Sequence, residues 1–146
     1  MKTGMSVMTR PEFLTRLLAA TNAHDVGRIE ACFAEEYVNV TPCHPARGFT
    51  GRGQVRRNWT AILGAVPDLE AEVVDFAVDG PRVWSEWEMR GTRVDGTPHL
   101  MRGPILFTLT GDRARARAAR FYLEPVELDG PDADAAVRQA LGGAGR

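Results

Sequence analysis

The residues of this sequence that could move protons are few and lie in three places. His44 follows a short strand-like stretch at 37–41 and stands in a loop with proline and glycine, and imidazole can accept or donate a proton near neutral pH. Glu86 and Glu88 occur in a long strand-like segment, and Glu124 lies near the end of another. Carboxylates in an apolar setting can act as general acids or bases, so these four residues define the first candidate chemistry.

Metal, thiol and cofactor chemistry have weaker signals. The three histidines are scattered and lack His-x-His or Cys-x-x-Cys spacing, so no metal site is expected. Cys43 adjoins His44, but neighbours in a loop rarely orient on each other as nucleophile and base. The triplet Gly51-Arg52-Gly53 lacks the full pattern of a dinucleotide or phosphate loop, so no cofactor is expected.

Composition limits the class of protein. The chain has 146 residues, enough for one domain, and its 44% hydrophobic and 25% charged residues are typical of a globular fold. A formal net charge of -1 provides no overall attraction to nucleic acid or anionic lipid, so neither is an expected partner. Two cysteines make no disulfide framework, and no apolar run approaches the roughly 20 residues of a membrane span. We therefore expect a soluble, cytoplasmic protein, and the predominance of arginine over lysine is typical of a bacterial, GC-rich coding background.

The elements that must position the candidate residues follow from hydrophobic periodicity. Helical spacing predicts three helices, at 13–21, 25–34 and 54–65, with a short strand at 37–41 between the second and the third. Four longer strands are predicted at 69–78, 82–94, 99–110 and 114–126. They are separated by the hairpin signals Asp79-Gly80, Asp95-Gly96 and Gly111-Asp112. This order predicts an α+β fold with an antiparallel sheet, followed by a polar tail at 128–146 that holds a short helix at 132–141.

Four short motifs carry a resemblance to a known family: Asn22-Ala23-His24-Asp25, Gly51-Arg52-Gly53 with Trp59, Pro67-Asp68, and Gly91-Thr92. Their order and spacing over residues 9–127 resemble the nuclear transport factor 2-like superfamily, and within it the SnoaL-like polyketide cyclase branch. The resemblance implies a cone-shaped, curved antiparallel sheet packed on two to three N-terminal helices. It also implies an internal pocket between them and frequent homodimers packed through the sheet.

The resemblance does not imply one reaction. Ketosteroid isomerases of this fold place a catalytic aspartate before a proline, where this sequence has Thr41, and a tyrosine on the first helix, where it has Leu17. Limonene-type epoxide hydrolases need an arginine and an aspartate where Glu86 and Glu88 stand, and an aspartate at Phe121. Both mechanisms are therefore disfavoured. SnoaL-type cyclases use an aspartate on the last strand, to which Glu124 is the nearest acidic residue.

The second long strand has one charged face and one apolar face. Alternation places Trp84, Glu86 and Glu88 on one side, and Ser85, Trp87 and Met89 on the other. If alternation alone decides, the apolar face packs on the helices and the glutamates lie in solvent. The resemblance instead implies that Glu86 lies on the concave face, where it would form a partly buried charge cluster with Arg90 or Arg102.

The last strand is also ambiguous, because its apolar residues change face after Ala119. Without a β-bulge near that residue, Arg120, Tyr122 and Glu124 enter the pocket together. With a bulge, Phe121 and Leu123 enter it instead.

These observations favour a cofactor-independent enzyme that isomerises, cyclises or dehydrates a hydrophobic cyclic substrate. Glu86 and His44 are its predicted catalytic residues, and the predicted binding residues are Thr41, Trp59, Trp84, Glu88, Met101, Arg120, Tyr122 and Glu124. The alternative is a non-catalytic module of the same fold for small-molecule binding or dimerisation. A homodimer is expected through the convex face of the sheet, where we expect Trp87 and Met89 to form an exposed apolar patch.

Overall fold

The computed structural model describes residues 9–142. Within this range it contains four α-helices, seven β-strands and a 3₁₀ turn at Pro45–Arg47. In chain order the elements are α1 Glu12–Asn22, α2 Val26–Ala31, β1 Phe33–Val40, β2 Phe49–Thr50, α3 Arg52–Ala65, β3 Glu70–Asp79, β4 Arg82–Thr92, β5 Pro98–Leu109, β6 Ala116–Phe121, β7 Glu124–Pro125 and α4 Ala133–Leu141.

The three N-terminal helices form where apolar spacing predicts them. On α1 the buried residues Phe13, Leu14 and Leu17 share one face, as helical periodicity requires. Helix α2 begins after Asp25, whose carboxylate accepts a hydrogen bond from the backbone N–H of Arg28 at 3.1 Å. This helix ends three residues earlier than predicted, because strand β1 starts already at Phe33.

The strands form one curved sheet in the order β2-β1-β6-β5-β4-β3, and the short β7 pairs with β5. Neighbouring strands are antiparallel except β1 and β6, which run parallel, so the sheet is mixed rather than purely antiparallel. The parallel pair arises because the chain leaves β1, passes through α3 and three long strands, and returns beside β1. The α+β architecture predicted from the sequence is confirmed.

The two long hairpins fix which residues face the helices. The turns contain Gly80 and Gly96 at φ of 57° and 89°, which a glycine adopts without steric cost. In the β4–β5 register Met89 lies opposite Met101. The side chains of Val83, Ser85, Trp87 and Met89 are buried on the helix side of the sheet, which we call the concave face.

The core at the concave face combines aromatic packing with a buried hydrogen-bonded pair. Phe13 and Phe107 meet edge to face with ring centroids 5.0 Å apart. Trp87 is 1% exposed, and its indole N–H donates to the Ser85 hydroxyl at 2.9 Å. Ser85 in turn donates to the carbonyl of Ile105 at 2.7 Å, so this buried polar group is satisfied within the strand pair.

Two irregularities shape the end of the sheet. The β5–β6 register shifts between Ala116 and Ala118, so Arg117 is an extra residue in β6. It forms a β-bulge slightly before the position predicted near Ala119. Further along, Gly103 has φ of +146°, and a Cβ at this position would lie 2.2 Å from the carbonyl oxygen of Tyr122. This close approach keeps the chain beside β5 after β6 ends, and pairing with the same edge of β5 resumes at β7.

The C-terminal region contains the short helix α4, whose N-cap Asp132 accepts a hydrogen bond from Ala135 N–H at 2.9 Å. No residue of α4 is buried. The predicted tail continues to residue 146, and 143–146 lie outside the described residues. Among residues 9–142, no helix is long and apolar enough to cross a membrane.

Candidate functional site

A cavity of about 240 Å³ lies between α1, α3 and the concave face of the sheet. Its walls are mainly apolar and aromatic, supplied by Leu17, Phe33, Phe49, Val55, Trp59, Trp87, Met89, Ile105, Phe107, Phe121 and Leu123. Seven polar or charged residues complete the lining, namely Thr21, Tyr37, Asn39, Thr41, Arg47, Asn58 and Glu124. An apolar cavity with a few convergent polar groups is the usual form of a small-molecule site.

Strand β1 and the residue that follows it contribute a row of three buried polar side chains to this cavity. Tyr37, Asn39 and Thr41 are 3%, 8% and 7% exposed, and their spacing of two residues places them on one face of the strand. The Tyr37 hydroxyl donates to Asn39 Oδ1 at 2.7 Å, and Asn39 Nδ2 donates to Thr41 Oγ1 at 3.3 Å. Burial raises the pKa of the Tyr37 phenol far above its ordinary value, so this hydroxyl remains protonated and remains a donor.

An imidazole and a carboxylate meet beside the cavity. His44 Nε2 lies 3.2 Å from Glu124 Oε1, and the two side chains are 39% and 34% exposed. The sheet register explains the contact. Val40 pairs with Arg120 in the parallel β1–β6 ladder, and His44 and Glu124 each lie four residues beyond this pair. The backbone N–H of His44 also donates to the Thr41 carbonyl at 2.9 Å, which anchors the start of the loop. Of this pair, Glu124 lines the cavity.

Two further polar groups face the cavity with unused donors. Arg47, at the end of the 3₁₀ turn, is exposed, and its guanidinium makes no hydrogen bond or ion pair with any of residues 9–142. Asn58 on α3 accepts a hydrogen bond from Gln54 Nε2 at 2.8 Å through its carbonyl oxygen. Its amide nitrogen donates to no group in that range. A ligand in the cavity could therefore accept hydrogen bonds from both.

Several predicted site residues lie at or near the cavity. Thr41, Trp59 and Glu124 line it, and His44 contacts it through Glu124. Met101 lies on the concave side opposite Met89 and is partly buried against the core, but it is not part of the lining.

The predicted position of Glu86, Glu88 and Trp84 in the pocket is wrong. All three project from the convex face, because the buried residues of β4 are those with odd numbers. Glu88 Oε2 lies 3.6 Å from Arg90 Nη1 and 3.7 Å from Arg102 Nη2, in an ion-pair cluster outside the cavity. The alternation of apolar residues determines which face of β4 is buried, because burying the two glutamates on the concave face would have left Trp87 in solvent.

Arg120 and Tyr122 also lie outside the lining, because the bulge at Arg117 turns Phe121 and Leu123 inward in their place. Arg120 and Trp84 instead line a shallow groove on the convex face, together with Val40, Leu106 and Ala118. The expected patch of Trp87 and Met89 is also wrong, since these side chains are only 1% and 5% exposed and belong to the core.

Sequence reasoning missed Tyr37, Asn39 and Arg47. The signal for the first two was present, because strand periodicity places residues 37, 39 and 41 of the predicted strand on one face. The signal for Arg47 was absent, since its position depends on how the loop after β1 folds back over the cavity.

Titratable groups elsewhere form no second catalytic cluster among the described residues, and no group of three metal-ligating side chains occurs there. His99 on β5 has a buried Nδ1 that has no hydrogen-bond partner in residues 9–142. Burial, and to a lesser extent the nearby Arg93, lowers the pKa of this imidazole below its ordinary value.

Comparisons with known proteins agree with this geometry. A family model described as SnoaL-like domain matches residues 14–138. The chain has no significant match among curated proteins.

Solved structures with similar folds include a protein of ketosteroid isomerase-like fold from Catenulispora acidiphila DSM 44928, in complex with trimethylamine. It has 19% identity and a TM-score of 0.67, covering 78% of this chain and 87% of that one. A second, from Shewanella denitrificans OS-217, bears the provisional name SnoaL-like polyketide cyclase, with 11% identity, a TM-score of 0.64 and coverage of 77% and 88%. An NTF2-like protein of unknown function from Exiguobacterium sp. 255-15 has 15% identity, a TM-score of 0.64 and coverage of 79% and 98%. At these identities the likeness establishes the shared fold.

Proposed function

The chain belongs to the SnoaL-like domain family, and from the cavity described above we propose that it is a cofactor-independent enzyme that isomerises, cyclises or dehydrates a small hydrophobic cyclic substrate. The observation that carries the proposal is the Glu124 carboxylate, which lines an aromatic cavity and lies 3.2 Å from His44 Nε2. A carboxylate held next to an imidazole can take up a proton and pass it on, which is the chemistry of general acid-base catalysis.

In the proposed reaction, Glu124 removes a proton from a carbon next to a carbonyl group of the substrate. The electron pair of the broken C–H bond moves into an enol or enolate, and the proton returns to another carbon or oxygen of the substrate. His44 holds the carboxylate in place through the contact at 3.2 Å and, being 39% exposed, can exchange protons with solvent.

The proposal can be tested without knowing the natural substrate. A panel of small cyclic ketones is incubated with the protein in deuterium oxide, and proton exchange next to the carbonyl is followed by NMR. We expect faster exchange for at least one ketone that binds, and a loss of about 10²- to 10⁴-fold in Glu124→Gln, because the amide cannot accept the proton. His44→Gln should lose less, since the carboxylate remains.

Glu127→Gln is the matched control, because Glu127 is an exposed glutamate in the same segment and is not part of the cavity lining. It should exchange protons at the wild-type rate. If Glu124→Gln, folded as judged by circular dichroism, keeps the wild-type exchange rate for a ketone that it binds, the catalytic assignment is wrong.

A second candidate function is a non-catalytic binding module of the same fold. It is favoured by the predominance of apolar residues in the lining and by the position of Glu86 and Glu88 outside the cavity. A binding module would take up ketones and hydrocarbons of the right size without accelerating exchange for any member of the panel.

We also propose a homodimer packed through the convex face. Val38, Val40 and Trp84 are 41%, 38% and 37% exposed there, and Leu106 lies between β4 and β6 in the same patch. Large apolar side chains grouped on one face of a sheet favour burial against a partner surface. Light scattering over a range of concentrations tests this, and a monomer at the highest concentration would contradict it.

A further inference from the structure

The polar row on β1 has a direction. Tyr37 donates to Asn39, and Asn39 donates to Thr41, so both hydrogen bonds run the same way along the strand. The phenol at the start of the row can only donate here, because Asn39 offers its carbonyl oxygen. In a site of low dielectric, successive hydrogen bonds of one direction polarise each other and strengthen the last donor.

The row ends in a donor without an acceptor. Thr41 Oγ1 receives the bond from Asn39, and its own proton is donated to no group among residues 9–142. Thr41 is 7% exposed and lines the cavity, so water from the surface has little access to it. A buried hydroxyl that lacks an acceptor loses about 1–3 kcal/mol relative to one that is satisfied, so the site favours a ligand that supplies the acceptor.

We propose that Thr41 is the hydrogen-bond donor that anchors a carbonyl oxygen of the ligand, and that Asn39 and Tyr37 are the residues that position and polarise it. The inference rests on the proposed ligand-binding role of the cavity, but it does not require catalysis by Glu124. It restricts the ligand to compounds that place an oxygen acceptor at this end of the cavity.

The size of the cavity narrows the ligand class further. Its volume of about 240 Å³ lies below the range of ~300–1,000 Å³ usual for sites that hold drug-sized molecules. One or two fused rings fit such a space, whereas a four-ring polyketide exceeds it. The ligand class is therefore a ketone or lactone of one or two rings, with its oxygen at Thr41 and its ring against Trp59 and Phe107.

The test compares two probes of nearly equal shape, para-fluoroacetophenone and para-fluorocumene, which differ in whether an acceptor oxygen is present. Their affinities for the full chain are measured by fluorine NMR titration. Wild type should bind the ketone more tightly than the hydrocarbon by about 2- to 12-fold, the ratio that one neutral hydrogen bond contributes. Thr41→Val, which preserves the shape of the side chain, should bring this ratio below 1 without changing the hydrocarbon affinity, because the ketone oxygen is then buried without a donor.

Two further variants separate anchoring from folding. Thr41→Ser keeps the hydroxyl and should keep the ketone preference. Tyr37→Phe removes the first donor of the row. It should lower the ratio of ketone to hydrocarbon affinity to a value between those of wild type and Thr41→Val. General loosening of the cavity would weaken the binding of both probes and leave this ratio unchanged.

Equal affinity of wild type for the two probes, or an unchanged ratio in Thr41→Val, overturns the anchor. So does the absence of measurable ketone binding up to its solubility limit. A ketone preference that depends on Thr41, combined with no proton exchange in the deuterium assay, supports the anchor and refutes only the catalytic proposal.

Discussion

Replacing Gly103 with alanine tests the geometry that brings Glu124 to the cavity. Gly103 lies on β5 at φ of +146°, where the backbone of Tyr122 on the neighbouring segment passes close to it. A Cβ there would lie 2.2 Å from the Tyr122 carbonyl oxygen and 3.1 Å from Leu123 Cα, and real Cβ contacts stay above 3.0 Å. The obstacle is the backbone of Tyr122 and Leu123, which cannot rotate away as a side chain can, so this segment and β5 must separate by roughly 1 Å.

Three costs add in the Gly103→Ala variant. An L-residue at positive φ costs about 1–2 kcal/mol, and overpacking against a fixed backbone costs about 1–3 kcal/mol. Separation also weakens the hydrogen bond from Tyr122 N–H to the Pro104 carbonyl, now 2.9 Å, which contributes about 0.5–1.5 kcal/mol. We therefore expect the free energy of unfolding to fall by about 2.5–6.5 kcal/mol.

Urea unfolding followed by tryptophan fluorescence measures this change. Gly80→Ala is the matched control, because Gly80 also has positive φ, at 57°, but a Cβ there meets nothing within 4 Å. The control should lose only about 1 kcal/mol, the conformational cost alone. The effect of alanine on the unfolded chain is common to both variants and cancels in the comparison.

If Gly103→Ala and Gly80→Ala differ by less than about 0.5 kcal/mol, the close approach of Tyr122 to Gly103 is not a constraint of the native state. The reasoning that Gly103 positions Phe121, Leu123 and Glu124 would then be refuted.

Three other predictions concern the core, the pH dependence of stability and the convex face. Ser85→Ala leaves the buried Trp87 indole N–H without an acceptor and should lower the free energy of unfolding by about 1–3 kcal/mol, whereas an unchanged urea midpoint would contradict the pairing. Because the pKa of His99 is lowered in the fold, the unfolded chain binds the proton more readily, so stability is lost as pH falls through the unfolded value of about 6.5. The urea midpoint of wild type should therefore fall more between pH ~7.5 and ~5.5 than that of His99→Gln, and equal slopes would count against it. Trp84→Lys places a charge in the exposed apolar patch and should shift the proposed dimer towards monomer in light scattering, with Leu128→Lys, at an exposed site beyond the sheet, as the control.

Much of the fold could be predicted because its signals are local. The hairpin turns at Gly80 and Gly96 depend on residues that tolerate positive φ, and the alternation along β4 marks its buried face without any tertiary information. The same alternation correctly predicts that Trp87 lies on the buried face of β4. The register implied by the family resemblance placed Glu86 on that face instead, and alternation is the stronger signal of the two.

The candidate site was harder to predict because its parts meet through long-range pairing. His44 and Glu124 are 80 residues apart in the sequence. Their contact depends on the parallel β1–β6 ladder, which no local sequence pattern predicts. The face that β6 presents depends on the bulge at Arg117, and a one-residue shift there exchanges Arg120 for Phe121 in the lining. The row from Tyr37 to Thr41 lies within the strand predicted at 37–41, but no local pattern shows that its face turns towards the cavity.

The most direct test of the proposed acid-base function compares Glu124→Gln with Glu86→Gln in the deuterium exchange assay, on the same ketone and at the same protein concentration. The two glutamates project from β7 and β4, and only Glu124 lines the cavity. We predict that Glu124→Gln loses about 10²-fold or more of the exchange rate while Glu86→Gln keeps it. The reverse result, exchange lost in Glu86→Gln and kept in Glu124→Gln, would contradict the assignment of the catalytic site to this cavity.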